Sequence, residues 1–326
     1  MIAHVKTFRT DAPPSTPASR DSMFVAADVA GLQIVMVNVY FIGTPDRWVL
    51  VDAGTPMGAG RIVRNAEKRF GPGARPQAII LTHGHFDHIG SLRKLLERWD
   101  IPVYAHELEL PYLAGRSAYP PPDPTVGGGL MARTSPLFPR GPFDFGPWIR
   151  PLPADASVPG VVGWRWIWTP GHSPGHVSLF RDSDRTLVAG DAFTTQKQES
   201  LVAVLTNAHH VHGPPKYYTI DWNAAKHSVQ ELARLQPAAA GTGHGLPMSG
   251  DLLRSQLTAL SLHFDELAVP RHGRYVRDAA MADRDGIVWV PPPVPDPLPK
   301  IAAAVLIAGV AALAITALTR RRRQLS

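Results

Sequence analysis

The chain has 326 residues, 44% of them hydrophobic and 8% aromatic, enough to bury a substantial core as one large domain or two small ones. It contains no cysteine, which excludes disulfides and thiolate metal ligands. The formal charge of +6 looks basic, but Lys300 and Arg320 to Arg323, offset by Asp296, supply four of those charges. The rest leaves about +2 over residues 1–295, so no nucleic-acid partner is expected.

In chain order, residues 1–22 include Asp11-Ala12-Pro13-Pro14-Ser15-Thr16-Pro17 and read as a loose N-terminal arm, with no apolar run of the kind a secretory signal needs. Residues 23–290 read as the main folded domain. Leu32–Ile42 and Trp48–Val51, rich in β-branched and aromatic residues, predict a hairpin. Arg61–Phe70 predicts a helix, since Ile62, Val63, Ala66 and Phe70 share one face, and Ile89–Trp99 predicts another. Between these helices, the apolar run Gln77–Thr82 predicts a buried strand.

The six residues after that strand, His83-Gly84-His85-Phe86-Asp87-His88, place three imidazoles and a carboxylate on a strand-to-helix turn. That density points to a metal site, and the carboxyl end of a strand is where an α/β sheet carries its sites. Next, residues 115–150 hold 8 Pro and 6 Gly among 36 positions, too many for regular structure. Because the stretch also carries Tyr119, Phe138, Phe143, Phe145 and Trp148, it predicts a lid over the metal site.

The second half repeats the pattern of strands followed by helices. Strands are predicted near Trp164–Trp168, Val177–Phe180 and Arg185–Ala189, then helices near Asp221–Leu235, with Asp221 as N-cap, and Gly250–Glu266. Three further candidates each end an apolar stretch: Thr169-Pro170-Gly171-His172-Ser173-Pro174-Gly175-His176, Asp191 after Val188-Ala189-Gly190, and His244 in Gly241-Thr242-Gly243-His244-Gly245. His209, His210 and His212 cluster too, but without carboxylates or a strand end they read as polar loop residues. A loop from Asn207 to Tyr218 is expected to line the same pocket.

The order of these motifs resembles the metallo-β-lactamase superfamily, over roughly residues 23 to 266, and the T-P-G-H-S-P-G-H stretch is most similar to its glyoxalase II and lactonase branches. The resemblance implies an α/β fold, a four-layer αββα sandwich. It implies one metal on His83, His85 and His172, a second on Asp87, His88 and His244, and Asp191 bridging them. His176 matches a family histidine that is not a ligand. Asp52 matches an aspartate that orients a ligand imidazole.

The implied cofactors are two zinc ions, with iron or manganese as alternatives, since neutral imidazole and carboxylate suit borderline cations. The implied activity is metal-dependent hydrolysis, in which hydroxide activated by two metals adds to an activated carbonyl, a thioester or lactone, of a small-molecule substrate. Asp87 is the expected catalytic proton carrier to the leaving group. The glutathione-binding pattern of glyoxalase II is not found after Asp191. Rival readings are a phosphodiesterase or phospholipase-type hydrolase and a one-iron, persulfide dioxygenase-like oxidoreductase. A non-catalytic scaffold is disfavoured because all seven ligand positions are filled.

At the C-terminus, residues 291–300 read as a stiff Pro-rich linker, and Ile301–Thr319 gives 19 uncharged residues before the basic tail 320–326. As a helix that stretch would measure about 28 Å, close to the ~30 Å hydrocarbon core, so it predicts a single-pass transmembrane helix and the membrane as a partner. The arginines alone would place the catalytic domain outside; the missing signal outweighs them and predicts a cytoplasmic catalytic domain.

Overall fold

The computed structural model describes residues 23–197 and 210–296. Among them, β1 (Met23–Ala26), β2 (Val29–Ile34), β3 (Val37–Thr44), β4 (Arg47–Val51), β5 (Ile79–Ile80), β6 (Val103–Ala105) and β7 (Ile149–Pro151) form one sheet in sequence order. Strands β1 to β4 are antiparallel, and β4 to β7 run parallel. A second sheet has the order β12-β11-β10-β9-β8, from β8 (Trp164–Trp168), β9 (Val177–Arg181), β10 (Thr186–Val188), β11 (Ala239–Gly241) and β12 (Met248–Ser249).

The period-2 alternation of side chains shows how the sheets stack. In β4, Val49 and Val51 face the same core as Tyr40, Ile42 and Ile80 of the first sheet and Val177, Leu179 and Val188 of the second. The alternate residues Trp48, Leu50 and Ile79 point the other way, onto Ile62 and Ala66 of the helix Ala59–Phe70 and Leu92, Leu95, Leu96 and Trp99 of the helix Leu92–Trp99. On the far side, Phe180 and Leu187 pack against Val229 and Leu232 of the helix Trp222–Arg234 and Leu253 and Leu257 of the helix Gly250–Leu262. The layers are therefore helix, sheet, sheet, helix, the expected αββα sandwich, and strands buried on both faces explain the near-continuous apolar runs.

Two local departures matter. Leu32–Ile42, expected as one strand, is two: Val35 takes φ 61° and closes a tight turn in which Ile34 pairs with Val37. Residues 115–150, expected to lack regular structure, hold the short helix Leu130–Thr134 and end in β7, and their aromatics divide. Phe145 is buried in the outer core with Phe143 and Trp148 against it, whereas Tyr119 and Phe138 lie at the candidate metal centre.

The expectation of a C-terminal membrane anchor is corrected. No helix among the described residues is long and apolar enough to cross a membrane. The longest helices described here have 13 residues, about 20 Å of rise against the ~30 Å of a hydrocarbon core. Residues 301–319, on which the anchor was read, lie outside the described residues, as do the arm 1–22 and the tail 320–326. The transmembrane helix, the membrane as partner, and the cytoplasmic placement that rested on them are withdrawn.

Candidate metal centre

The candidate residues emerge where strands stop, on one edge of the sandwich. His83 follows β5, His85 immediately precedes the short helix Phe86–Ile89, and Asp87 and His88 lie within that helix; His172 lies on the β8–β9 connection, Asp191 just after β10 and His244 just after β11. Backbone bonds lock these loops together. Val177 N–H donates to Thr82 O at 2.9 Å, Gly243 N–H to Gly190 O at 2.7 Å, and Asn38 N–H to Gly243 O at 2.7 Å. From β3, Asn38 Nδ2 and the Tyr40 hydroxyl both donate to Thr242 O, at 2.8 and 2.7 Å. Gly243 has no room for a side chain: a Cβ there would lie 1.9 Å from Asp191 Oδ1.

Three clusters of ligand atoms result, His83 with His85 and His172, His83 with His88 and Asp191, and Asp87 with His88 and His244. Asp191 lies between them. Its Oδ2 is 3.5 Å from His172 Nε2, 3.6 Å from His88 Nε2 and 3.2 Å from His244 Nε2, while Asp87 Oδ2 is 3.6 Å from His244 Nε2. All seven candidate ligands are thus brought together, and Asp52 lies just behind them.

The outward-facing atoms are held. Asp52 Oδ2 accepts from His88 Nδ1 at 2.8 Å and from the Thr82 hydroxyl at 2.8 Å, and its Oδ1 accepts from Thr82 N–H at 2.8 Å. Thr82 Oγ1 also lies 3.1 Å from His83 Nδ1, and Thr219 Oγ1 lies 3.4 Å from His172 Nδ1. His244 Nδ1 donates to Met36 O at 2.8 Å, so the left-handed turn at Val35 aims a carbonyl at a candidate ligand. His176 is engaged twice. Its Nε2 accepts from Asp191 N–H at 2.8 Å, which fixes the proton on Nδ1, 2.8 Å from Thr169 Oγ1, and leaves no lone pair for a metal.

The electrostatics favour a cation in the middle. Burial, and after it the neighbouring imidazoles, hold His83 well below the ordinary histidine pKa. Burial and then His172 do the same to His85, and burial brings His172 to about 3 despite Asp191. These rings are neutral and offer lone pairs. For His88, burial opposes protonation, but Asp191 and Asp52 outweigh it and raise its pKa. Burial likewise opposes protonation of His244, which Asp191 raises. Burial would raise Asp191, yet His244 and His88 keep it well below the usual carboxylate range.

Buried atoms without partners test whether a metal fits. His83 Nε2, His88 Nε2 and Asp191 Oδ1 have no hydrogen-bond partner, and His85 Nδ1 faces His172 Nε2 at 3.0 Å. Orphaned buried acceptors are costly, and a cation shared among them removes the cost, so the residues fit a metal.

Several residues at this centre escaped the sequence reading. Glu109, 0% exposed, is the chief one. Its Oε2 accepts from Gly84 N–H at 3.0 Å and from the Tyr119 hydroxyl, and its Oε1 from the Ser173 hydroxyl at 2.7 Å and Gly175 N–H at 2.8 Å. It ties the His83–His88 loop, the His172 loop and residue 119 to one carboxylate. Burial pushes its pKa up, and the four donors work against that. Nothing marked it in sequence, because it lies 25 residues from Gly84 and 64 from Ser173. Thr82 and Thr219, each beside a motif residue, were equally unremarkable.

The His210 and His212 rings are 5.1 Å apart and join none of the metal-capable clusters among the described residues; residues 207–209 lie outside those described. Tyr217 and Tyr218, the end of the same loop, pack with Ala132, Phe86, Val126, Met131 and Phe138 beside the centre.

Comparison with known proteins adds a family. Residues 32–244 match the model of the metallo-beta-lactamase superfamily. The chain is 50% identical over 252 residues to the probable metallo-hydrolase YflN of Bacillus subtilis, covering 76% of this chain and 96% of that protein. It is 33% identical to the probable metallo-hydrolase YybB of the same organism, covering 65% and 81%. Among solved structures it resembles the Rm3 metallo-beta-lactamase in fold, with a TM-score of 0.53 and 19% identity over 77% of this chain and 94% of that one.

Proposed function

The chain belongs to the metallo-β-lactamase superfamily and is a metal-dependent hydrolase, and from that premise we propose that it cleaves an activated carbonyl, a thioester or lactone of a small molecule. In this reading His83, His85 and His172 would hold one metal, Asp87, His88 and His244 would hold a second, and Asp191 would serve both. The observation that carries it is the central place of Asp191 Oδ2, 3.2 to 3.6 Å from candidate ligands of both groups. Two zinc ions held there would lower the pKa of bound water from 15.7 to about 7 and polarise the scissile carbonyl. The same donors accept iron or manganese.

The protein's own groups then have separable tasks. Asp52 and Thr82 orient His88 and His83, Thr219 orients His172, and the Met36 carbonyl orients His244, each fixing which nitrogen faces inward. Asp87 is suited to carry a proton to the leaving group. Its side chain is 14% exposed, against 3% for Asp52 and 2% for Asp191, so it is the most open to solvent of these three carboxylates. Within residues 115–150, Tyr119 and Phe138 act as the lid: Tyr119 lies 4.7 Å from the His85 ring, and Phe138 lies 5.3 Å from Phe86.

Metal quantification on purified protein, alongside thioester, lactone, β-lactam and phosphodiester substrates, tests this reading. Two equivalents of metal and turnover of thioesters or lactones are expected. Turnover confined to phosphodiesters, or oxygen consumption with a persulfide and a single iron, would overturn it.

A further inference from the structure

A cavity of about 390 Å³ opens between the segment Arg271–Asp278 and the proline-rich residues Pro291–Pro295, and none of the seven candidate ligands lines it. Its charged lining is Arg271, Arg274, Arg277 and Asp278, three positive groups against one negative. None of the three guanidinium groups is ion-paired with a carboxylate among the described residues. Elsewhere the chain does pair its arginines, Arg181 with Asp28 and Asp184, and Arg165 with Asp182. Three like charges around one concavity repel one another, and an anion between them removes that repulsion. Guanidinium presents a planar fork of N–H donors that matches the oxygens of phosphate two at a time. Prolines stiffen the opposite wall, and the His272 Nε2 bond to Pro295 O at 3.2 Å joins it to the arginine segment. The volume lies within the range of about 300–1,000 Å³ usual for small-molecule sites, so it admits a phosphate together with a small organic group.

Both walls are fastened to the lid. Behind the arginines, the Tyr275 hydroxyl donates to Pro121 O at 2.6 Å and Arg274 N–H donates to Asp123 Oδ2. Gly273 packs so closely on this part of the lid that a Cβ there would lie 2.8 Å from Asp123 Oδ2 and 3.2 Å from Val126 Cγ1. On the proline side, the next residue, Asp296, pairs with Arg133 of the lid helix Leu130–Thr134 at 2.8 Å. The lid in turn touches the centre: Asp123 N–H donates to Tyr217 O at 2.8 Å, and the neighbouring Tyr218 ring stacks on His85 at 4.5 Å.

We propose that this cavity binds a phosphate-bearing small molecule through Arg271, Arg274 and Arg277, and that its occupancy steadies the lid over the candidate metal centre. The phosphate is either a free effector or a group carried by the substrate; the recognising chemistry is the same.

Titration of the full, metal-loaded chain with inorganic phosphate at low ionic strength tests the site against Arg271→Gln/Arg277→Gln. Both side chains are exposed, so metal content and melting temperature should stay at wild-type values while phosphate affinity falls at least about 10-fold. Equal affinity in the two proteins would place the anion elsewhere, on the metals or the outer surface, and would overturn the site, as would the lack of any saturable binding. Amide exchange reads the link to the lid without relying on turnover. Phosphate should slow exchange across residues 121–134 at least about 3-fold in the wild type and not in the variant, and unchanged exchange would overturn the link. The source of the phosphate is then found by kinetics, which alone rest on the carbonyl-hydrolase reading. A free effector changes kcat/KM on an uncharged thioester or lactone in the wild type only. A substrate phosphate shows as a KM about 10-fold higher in the variant, at equal kcat, on a thioester of a phosphorylated thiol. Absence of wild-type turnover on every thioester and lactone would overturn that reading, with the titration and exchange results still deciding the site.

Discussion

Glu109→Ala would remove the carboxylate that joins the two histidine loops. In the wild type four donors converge on it, and they respond differently to its loss. Gly84 N–H keeps a second acceptor, the Tyr119 hydroxyl at 2.9 Å. Gly175 N–H is left buried without an acceptor, at about 1–3 kcal/mol, and the Ser173 and Tyr119 hydroxyls each lose a bond worth about 1 kcal/mol. Relief of the buried carboxylate's desolvation offsets part of the cost, and the cavity left behind adds to it. The net is about 3–4 kcal/mol. At about 2–4 °C per kcal/mol this lowers the melting temperature by roughly 10 °C. Metal affinity should fall about 10–100-fold, as is usual when a partner behind the ligands is removed. Glu109→Gln keeps the shape but turns an amide NH2 toward groups that are themselves donors, so it should lie between wild type and Ala. Thermal unfolding in chelator measures the first effect without metal, and competition with a chromophoric chelator measures the second. A Glu109→Ala protein within about 1 kcal/mol of wild type and with unchanged metal affinity would refute the view that this carboxylate ties the loops.

Asp191→Ala should lose bound metal and all hydrolysis, whereas His176→Ala should retain metal and lose only about 1–3 kcal/mol of stability, since it frees Asp191 N–H; elemental analysis and urea unfolding separate them. Phe138→Ala should change substrate preference at constant metal content, and identical kinetics across an acyl-chain series would show that residue 138 does not face substrate. Burial, then His210, Lys197 and Lys216, lowers His212 from 6.5 to about 4, so in that window the unfolded chain takes up a proton that the folded protein refuses. Stability should therefore fall as pH drops from about 6.5 to about 4, and His212→Gln should flatten that slope in urea titrations.

Much of this protein was legible in one dimension. The His83–His88 stretch is local, so its chemistry could be read from spacing, and β4, β8 and β9 announced themselves through apolar and aromatic runs. The helix Trp222–Arg234 did so through Asp221, whose carboxylate accepts from Ala224 N–H at 2.9 Å. The order of the motifs carried the family resemblance, and two β-then-α halves, each contributing candidate ligands, fitted the sandwich that the resemblance implied. Short strands such as β11 and β12 were not legible, because two or three residues carry no period and only their neighbours make them strands. The apolar run at 301–319, on which the membrane span was read, lies outside the described residues. Composition alone suggested a membrane span, and hydropathy cannot say where a segment stands relative to a fold. What tertiary structure decided was the company each motif keeps: Glu109 under two loops, Tyr218 on His85, the Met36 carbonyl on His244. These partners lie 25 to 208 residues from the groups they serve. Hydrogen bonds and ring stacking act over a few ångströms of space and leave no periodic trace along the chain, so only the folded backbone could reveal them.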